Sequence, residues 1–240
     1  MCVVSFATKV PVGRTPANCD AHRKDHACSS FERTYSPRTI TTFACYLPMR
    51  KLALISLFSS LFGCSSRAQN PLPPVDPPQS FYSLKAADIT GQEVGMDQFK
   101  GHKVLVVNTA SNCGNTPQYA KLEELHKRYA ATGLMVVGFP SNDFLRQEPG
   151  SNADIAKFCE EKYSITFPMM GKVEVKGKAM HPVYAWLTQK ANNGALDSKV
   201  KWNFQKYLID EQGRLVAVFD PGTDPLSEEI ISLIRPETKP

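Results

Sequence analysis

The sequence predicts an α/β fold: a central mixed sheet flanked by helices, with an N-terminal hairpin. Three observations carry that expectation. The β-branched run Val104-Leu105-Val106-Val107 ends in a polar turn and passes into a helical pattern, with Tyr119, Leu122, Leu125 and Tyr129 on one face. A second apolar run, Leu134–Phe139, follows that helix, and two strands joined by a helix pair in parallel. Phe204–Asp210 and Arg214–Phe219 then bracket Glu211-Gln212-Gly213 as a hairpin, and Ser227–Ile234 closes the chain's last periodic stretch as a helix.

The remaining elements fall into place around these. Ser83–Asp88 and Glu93–Met96 flank the turn Ile89-Thr90-Gly91-Gln92 and form the N-terminal hairpin. Lys103–Ala110 is the first buried strand, and Pro117–Ala131 the first helix, with Thr116 in the N-cap place and Pro117 at the first helical position. Asn152–Lys162 reads as a helix capped by Asn152, Phe167–Val175 as a strand region, and His181–Lys190 as a further helix. His181, before Pro182, reads as a helix-start residue. A βαβ half followed by a ββα half, with a cysteine after the first strand of the βαβ unit, is the thioredoxin fold.

The segments ahead of that domain have another character. Residues 1–48 are rich in Ser, Thr, Arg and Pro without apolar periodicity, and read as an unstructured or spurious leader. Met49 is the expected true start: Met49-Arg50-Lys51, the uncharged and mostly apolar stretch Leu52–Gly63, and Cys64 make an export signal. Its apolar core falls short of the roughly 20 residues a membrane-spanning helix needs. Leu61-Phe62-Gly63-Cys64 resembles a bacterial lipobox, which makes residues 49–63 a lipoprotein-type signal peptide and Cys64 the lipidated residue. An ordinary cleaved signal is the alternative. By resemblance to bacterial lipoproteins, Ser65 after the cysteine favours the outer membrane of a bacterial cell envelope, facing the periplasm. Residues 64–80, with five prolines in Asn70–Pro78, read as an extended tether, and the domain spans 81–238.

Charge excludes one class of partner. Of the 28 basic and 23 acidic side chains, eight basic and three acidic ones precede Cys64, so the net charge of +5 belongs to the leader and signal, and the rest is neutral. Nothing there makes a case for nucleic acid. Of the seven cysteines, only Cys113 and Cys159 fall in the domain, too few for a disulfide framework and well suited to redox chemistry. Cys19, His22, His26 and Cys28 match no common zinc spacing, and no metal or other cofactor is expected. Cys113 lies between the C-terminal end of a buried strand and the N-terminus of a helix. Free backbone N–H groups and the positive dipole end favour an anion there, so the thiolate is the form such a place selects.

Four blocks, in order, resemble the glutathione peroxidase family across most of residues 81–236. Val107–Tyr119 (VNTASNCGNTPQY) is similar to its peroxidatic motif, and Gly138–Phe144 with Gln147–Asn152 to its second signature. Phe167-Pro168, and Lys201-Trp202-Asn203-Phe204 with Lys206 and Leu208, are similar to the third and fourth. The resemblance implies that Cys113 is the nucleophile, with Gln147, Trp202 and Asn203 completing a catalytic tetrad. Taken singly, Trp202 reads as core and Gln147 as a loop surface residue. A thiolate that attacks a peroxide oxygen drives charge onto the departing oxygen, and neutral amide and indole N–H donors stabilise that charge.

Cys159 stands where two-cysteine members carry a resolving thiol. The resemblance therefore implies a Cys113 sulfenic acid trapped as a Cys113–Cys159 disulfide, and a thioredoxin-like reductant in place of glutathione. Ser141 stands where relatives have a third cysteine, Asp143 replaces a common Gln, and Leu145 a common Gly. The segment between Gln189 and Trp202 is short, so the insertion of tetrameric members is missing and a monomer is expected. Hydroperoxides are the implied substrates, with protection against oxidative stress as the role. A thiol–disulfide oxidoreductase of the same fold would want Cys-x-x-Cys, whereas Gly114-Asn115-Thr116 follows Cys113. A non-catalytic envelope lipoprotein stapled by the two cysteines is the other alternative.

Overall fold

The computed structural model describes residues 70–235. The leader, the signal stretch 49–63 and Cys64 lie outside the described residues. A two-stranded antiparallel hairpin, β1 (Lys85–Ala87) and β2 (Glu93–Gly95), precedes a four-stranded sheet built from β3 (Lys103–Thr109), β4 (Leu134–Pro140), β5 (Lys206–Ile209) and β6 (Leu215–Phe219). The strand order is β4-β3-β5-β6, with β3 parallel to β4 and the other two pairs antiparallel. The expected thioredoxin-type mixed sheet is therefore present. Helices α1 (Gln118–Tyr129), α2 (Asn152–Tyr163), α3 (Pro182–Thr188), α4 (Lys190–Asn193) and α5 (Glu228–Ile234) cover it.

β3 is apolar on both faces because both faces are covered. Val104 and Val106 point into one layer, packed with Tyr184, Trp186 and Leu187 of α3 and with Phe81 and Met96 beside the hairpin. Leu105 and Val107 point into the other, with Tyr119, Leu122 and Leu125 of α1, Ile155 and Cys159 of α2, and Ile230 and Ile234 of α5. Both domain cysteines belong to this second layer. Asn70–Ser80 runs along the outside: Leu72 N–H donates to Val216 O at 2.7 Å, and the Asn70 amide pairs with both backbone groups of Val218 at 3.0 and 3.2 Å. The segment thus supplies partners to the free side of β6, an edge strand.

Three local expectations need correction. Phe167–Val175 is not a strand. It touches β4 through a Gly138–Met169 bridge and the hairpin through an Asp88–Met170 bridge, alternating between the two. Pro168 has no N–H for a ladder, and the next residues turn away so that Gly171 N–H donates to Ala87 O at 2.8 Å. The cap of α2 is Ser151, not Asn152. Ser151 is extended and closes a capping box with Asp154, whereas the Asn152 side chain accepts from Lys172 N–H at 3.0 Å. Thr116 does not cap α1, whose first residue is Gln118; its hydroxyl is engaged in the turn before the helix. His181 does start α3, its Nδ1 accepting from Val183 N–H at 3.3 Å, and burial lowers its pKa, which favours the neutral ring that such an acceptor needs.

Lys206, fully buried on β5, ties the second layer to the loop ahead of α5. Its ammonium donates to Gln118 Oε1 at 2.6 Å, Thr223 O at 2.6 Å and Pro221 O at 3.1 Å. Burial pushes the amine down to about 7, and the charge of Asp224 opposes that; three oxygens filling three N–H positions favour the charged form further. Lys206→Met keeps the length of the stem but leaves those oxygens without their donor. A loss of about 2–4 kcal/mol in urea unfolding is expected, and a loss under ~0.5 kcal/mol would show that the cage is not stabilising.

Candidate active site

The site forms where β3 stops. Asn108 is fully buried at the end of that strand, and its side chain reaches across to the segment before β5. Its Nδ2 donates to Trp202 O at 3.1 Å and its Oδ1 accepts from Gln205 N–H at 3.1 Å, while its own carbonyl accepts from Phe204 N–H at 2.6 Å. These bonds hold Phe204 at φ 67°, in the left-handed region, and so set the direction of Trp202 and Asn203.

The turn carrying Cys113 is braced from within. Thr116 Oγ1 accepts from Cys113 N–H at 3.0 Å and donates to Ala110 O at 2.9 Å. Thr116 N–H donates to Cys113 O at 3.0 Å, and Asn115 N–H points at Cys113 Sγ from 3.4 Å. The sulfur is 8 % exposed at residue level and is a free thiol, as is that of Cys159. The Asn115 N–H is thus aimed at the sulfur, on the turn that leads into α1.

Two further bonds bring the other expected residues to this turn. Asn112 N–H donates to Gln147 O at 3.0 Å, and Asn115 Nδ2 donates to Asn203 O at 3.3 Å. Gln147 and Asn203 then meet each other, Asn203 Nδ2 donating to Gln147 Oε1 at 2.9 Å. The Asn203 Oδ1 is buried without a partner, an acceptor left open in the site. Trp202 is half-buried and stacks on Phe144 with ring centroids 5.3 Å apart, and the Lys176 ammonium lies 4.2 Å from the Phe144 ring centre. Cys113, Gln147, Trp202 and Asn203 are therefore gathered from three separate segments into one region.

The loop that delivers Gln147 is held at both ends by side-chain and backbone bonds. Asp143 accepts from Val175 N–H at 2.7 Å and Lys176 N–H at 3.2 Å. Leu145 and Arg146 follow with φ of 50° and 54°, an uncommon conformation for side-chain-bearing residues, and Leu145 is 77 % exposed. Glu148 comes next and is 1 % exposed. It accepts from Ser111 Oγ at 3.1 Å and its N–H donates to Asn142 Oδ1 at 2.9 Å, with no ion pair among the described residues. Burial raises its pKa, with the Ser111 hydrogen bonds and Lys172 opposing.

Cys159 sits on the buried face of α2 and is 2 % exposed. Burial pushes its thiol up to about 11, the Tyr119 hydroxyl works against that, and Glu148 adds to it. Tyr119 OH and Thr109 Oγ1 are both buried, and neither closes a well-formed hydrogen bond. Asn108 and Glu148 had no assigned role in the sequence, and Thr116 and Tyr119 only a cap and a helix-face position. Asn108 left a signal, since a polar residue at the end of an otherwise apolar strand needs partners wherever it is buried.

Comparison with known proteins gives the family. A peroxide-type thiol site on a thioredoxin-fold sheet is the class that fold and site define. The sequence profile of the glutathione peroxidase family matches residues 81–188. A glutathione peroxidase homolog, BsaA, of Bacillus subtilis is 44 % identical over 159 residues, covering 65 % of this chain and 99 % of that protein. The glutathione peroxidase-like peroxiredoxin 2 of Saccharomyces cerevisiae is 48 % identical over 159 residues, covering 65 % and 97 %. Among solved structures, the crystal structure of Trgpx in apo form superposes with a TM-score of 0.51 at 38 % identity, covering 65 % of this chain and 96 % of that one. The chain belongs to the glutathione peroxidase family, and it is a peroxidase-type oxidoreductase.

Glu148 yields a pH prediction. A carboxyl whose pKa is raised by folding above the ordinary 4.5 contributes stability that is fully present below that value and is lost as pH rises through the folded pKa. Glu148→Gln keeps an acceptor for Ser111 and cannot ionise. Thermal melts should place the variant above the wild type at neutral pH and level with it near pH 4. A variant less stable at both pH values would contradict the burial argument.

Proposed function

We propose that this chain is a two-cysteine thiol peroxidase that reduces hydrogen peroxide and organic hydroperoxides at Cys113. The observation that carries the reading is the convergence of Gln147 and Asn203 on the Cys113 turn through Asn112 N–H and Asn115 Nδ2. The Cys113 thiolate attacks one peroxide oxygen; an S–O bond forms and the O–O bond breaks. Sulfur is oxidised to the sulfenic acid, and the departing oxygen leaves with a proton as water or alcohol. Amide groups of Gln147 and Asn203 and the Trp202 indole N–H act as preorganised donors to the sulfur and to the charge that develops on the leaving oxygen.

Cys159 then displaces the sulfenic hydroxyl. The Cys113–Cys159 bond forms, the S–O bond breaks, and the Cys159 proton leaves with the hydroxyl as water. A thioredoxin-like dithiol attacks that disulfide, is itself oxidised, and returns both thiols. The peroxiredoxin name of the yeast relative supports this cycle over a glutathione-dependent one. In this reading the chain is a monomer, lipid-anchored through Cys64 in a bacterial envelope, and it removes peroxide before other envelope proteins are oxidised.

Steady-state peroxide consumption driven by thioredoxin tests the cycle. Cys113→Ser is expected to abolish turnover. Asn203→Ala is expected to lower kcat/KM by roughly 10²–10³, the usual effect of deleting a transition-state donor. Cys159→Ser should stop thioredoxin-driven turnover while dimedone still traps a sulfenic acid on Cys113. Full turnover by Cys159→Ser would exclude the resolving role, and full turnover by Cys113→Ser the whole reading.

A further inference from the structure

The last turn of α2 is closed on the backbone of Cys159 itself. Ser164 N–H donates to Glu160 O at 2.9 Å, the bond of an αL cap, and Ile165 N–H donates to Cys159 O at 3.3 Å. The residue between them, Ser164, has φ 50° and ψ 44°. Glycine adopts that left-handed conformation freely, whereas a Cβ is crowded in it. Ser164 is exposed, and its hydroxyl makes no hydrogen bond among the described residues, so nothing there compensates.

Everything around this turn is fixed more firmly. Ahead of it, the Ser151–Asp154 capping box holds the first turn of α2. Behind it, Glu123 of α1 accepts from Thr166 N–H at 2.8 Å and Thr166 Oγ1 at 2.7 Å. Phe158 and Tyr163 lean on each other at 5.8 Å and on Tyr119 at 6.4 and 5.3 Å between ring centroids. Between these holds lies a sulfur that is nearly inaccessible, as is the sulfur of Cys113. A thiol from another protein can reach neither in this form, and opening the Cys159–Ser164 turn would free Cys159 for a Cys113–Cys159 disulfide and expose that bond to a reductant.

We infer that Ser164 is a positioning residue for the resolving step: its left-handed backbone strain lowers the free energy needed to open the last turn of α2 and release Cys159 toward oxidised Cys113. The inference rests on the resolving role proposed for Cys159. Strain present in the closed turn and relieved in the open one raises the open population without touching the first, peroxide-reducing step. Ser164→Gly removes the strain and changes no packed side chain. Ser164→Asn, which tolerates the left-handed region better than serine, should fall between the two.

The full chain, prereduced, is mixed with one equivalent of hydrogen peroxide and quenched at intervals with dimedone and with an alkylating agent. Ser164→Gly is expected to form the sulfenic acid at the wild-type rate and the disulfide about fivefold more slowly, the factor that one left-handed Cβ is worth. Amide exchange across residues 159–165 should slow by a similar factor. An unchanged or faster disulfide step in Ser164→Gly would overturn the inference, as would equal slowing of both steps. Cys159→Ser in parallel separates this failure from that of the resolving role: thioredoxin-driven turnover by that variant removes the premise, whereas its inactivity beside a normal Ser164→Gly removes only the inference.

Discussion

Asn108 is the point from which the site is organised. It lies one residue before the end of a strand buried on both faces, and a primary amide in that place must find partners or destabilise the sheet by a few kcal/mol. It finds them in Trp202 O and Gln205 N–H, and in doing so pulls the 202–205 segment across the end of β3. The Cys113 turn begins a few residues later on the same strand. The requirement that satisfies a buried amide therefore also sets the placement of Trp202 and Asn203 relative to the Cys113 turn.

A second network does the same for the 141–150 loop. Glu148 is bonded through its side chain to Ser111 and through its backbone to Asn142, while Asn112 N–H holds Gln147 O. A carboxyl kept out of water against its tendency to ionise is an expensive anchor. It is placed where it fixes Gln147 relative to the cysteine turn without adding an ammonium partner beside the thiol. The nearby cation, Lys172, instead donates to Gly150 O at 2.6 Å and Glu148 O at 3.4 Å, which fastens the same loop from outside.

The fold was legible because its signals are periodic. Apolar runs at 104–107 and 134–139 with one helix between them can pair only in parallel, and the register from Lys103–Leu134 to Thr109–Pro140 follows. Local boundaries were less legible. Asn152 and Ser151 are both good caps, and only the extended backbone of Ser151 decides between them. Phe167–Val175 has strand-like composition, but Pro168 and the pull of the hairpin divide its partners. Thr116 has the composition of a cap and the job of a brace. In the site, the residues that carry reactive or polar groups were legible from their motifs, whereas Glu148 and Tyr119 gain their meaning from burial, which has no signature at a single position.

The two cysteines are set apart by the same physics that separates their proposed tasks. Cys113 lies at a turn where a backbone N–H points at its sulfur, ahead of α1. Cys159 lies on a helix face inside the second layer, where burial, with a smaller push from Glu148, drives its thiol up to about 11. A thiol held protonated there is a poor nucleophile and a poor target for peroxide, which fits the division of tasks proposed for the two cysteines. The same burial means that Cys159 gains reactivity only by leaving its place. In the proposed cycle, helix α2 would have to be stable enough to hide the thiol between turnovers and weak enough at one end to give it up. A capping box at the start and a strained serine at the end distribute stability along the helix in that way.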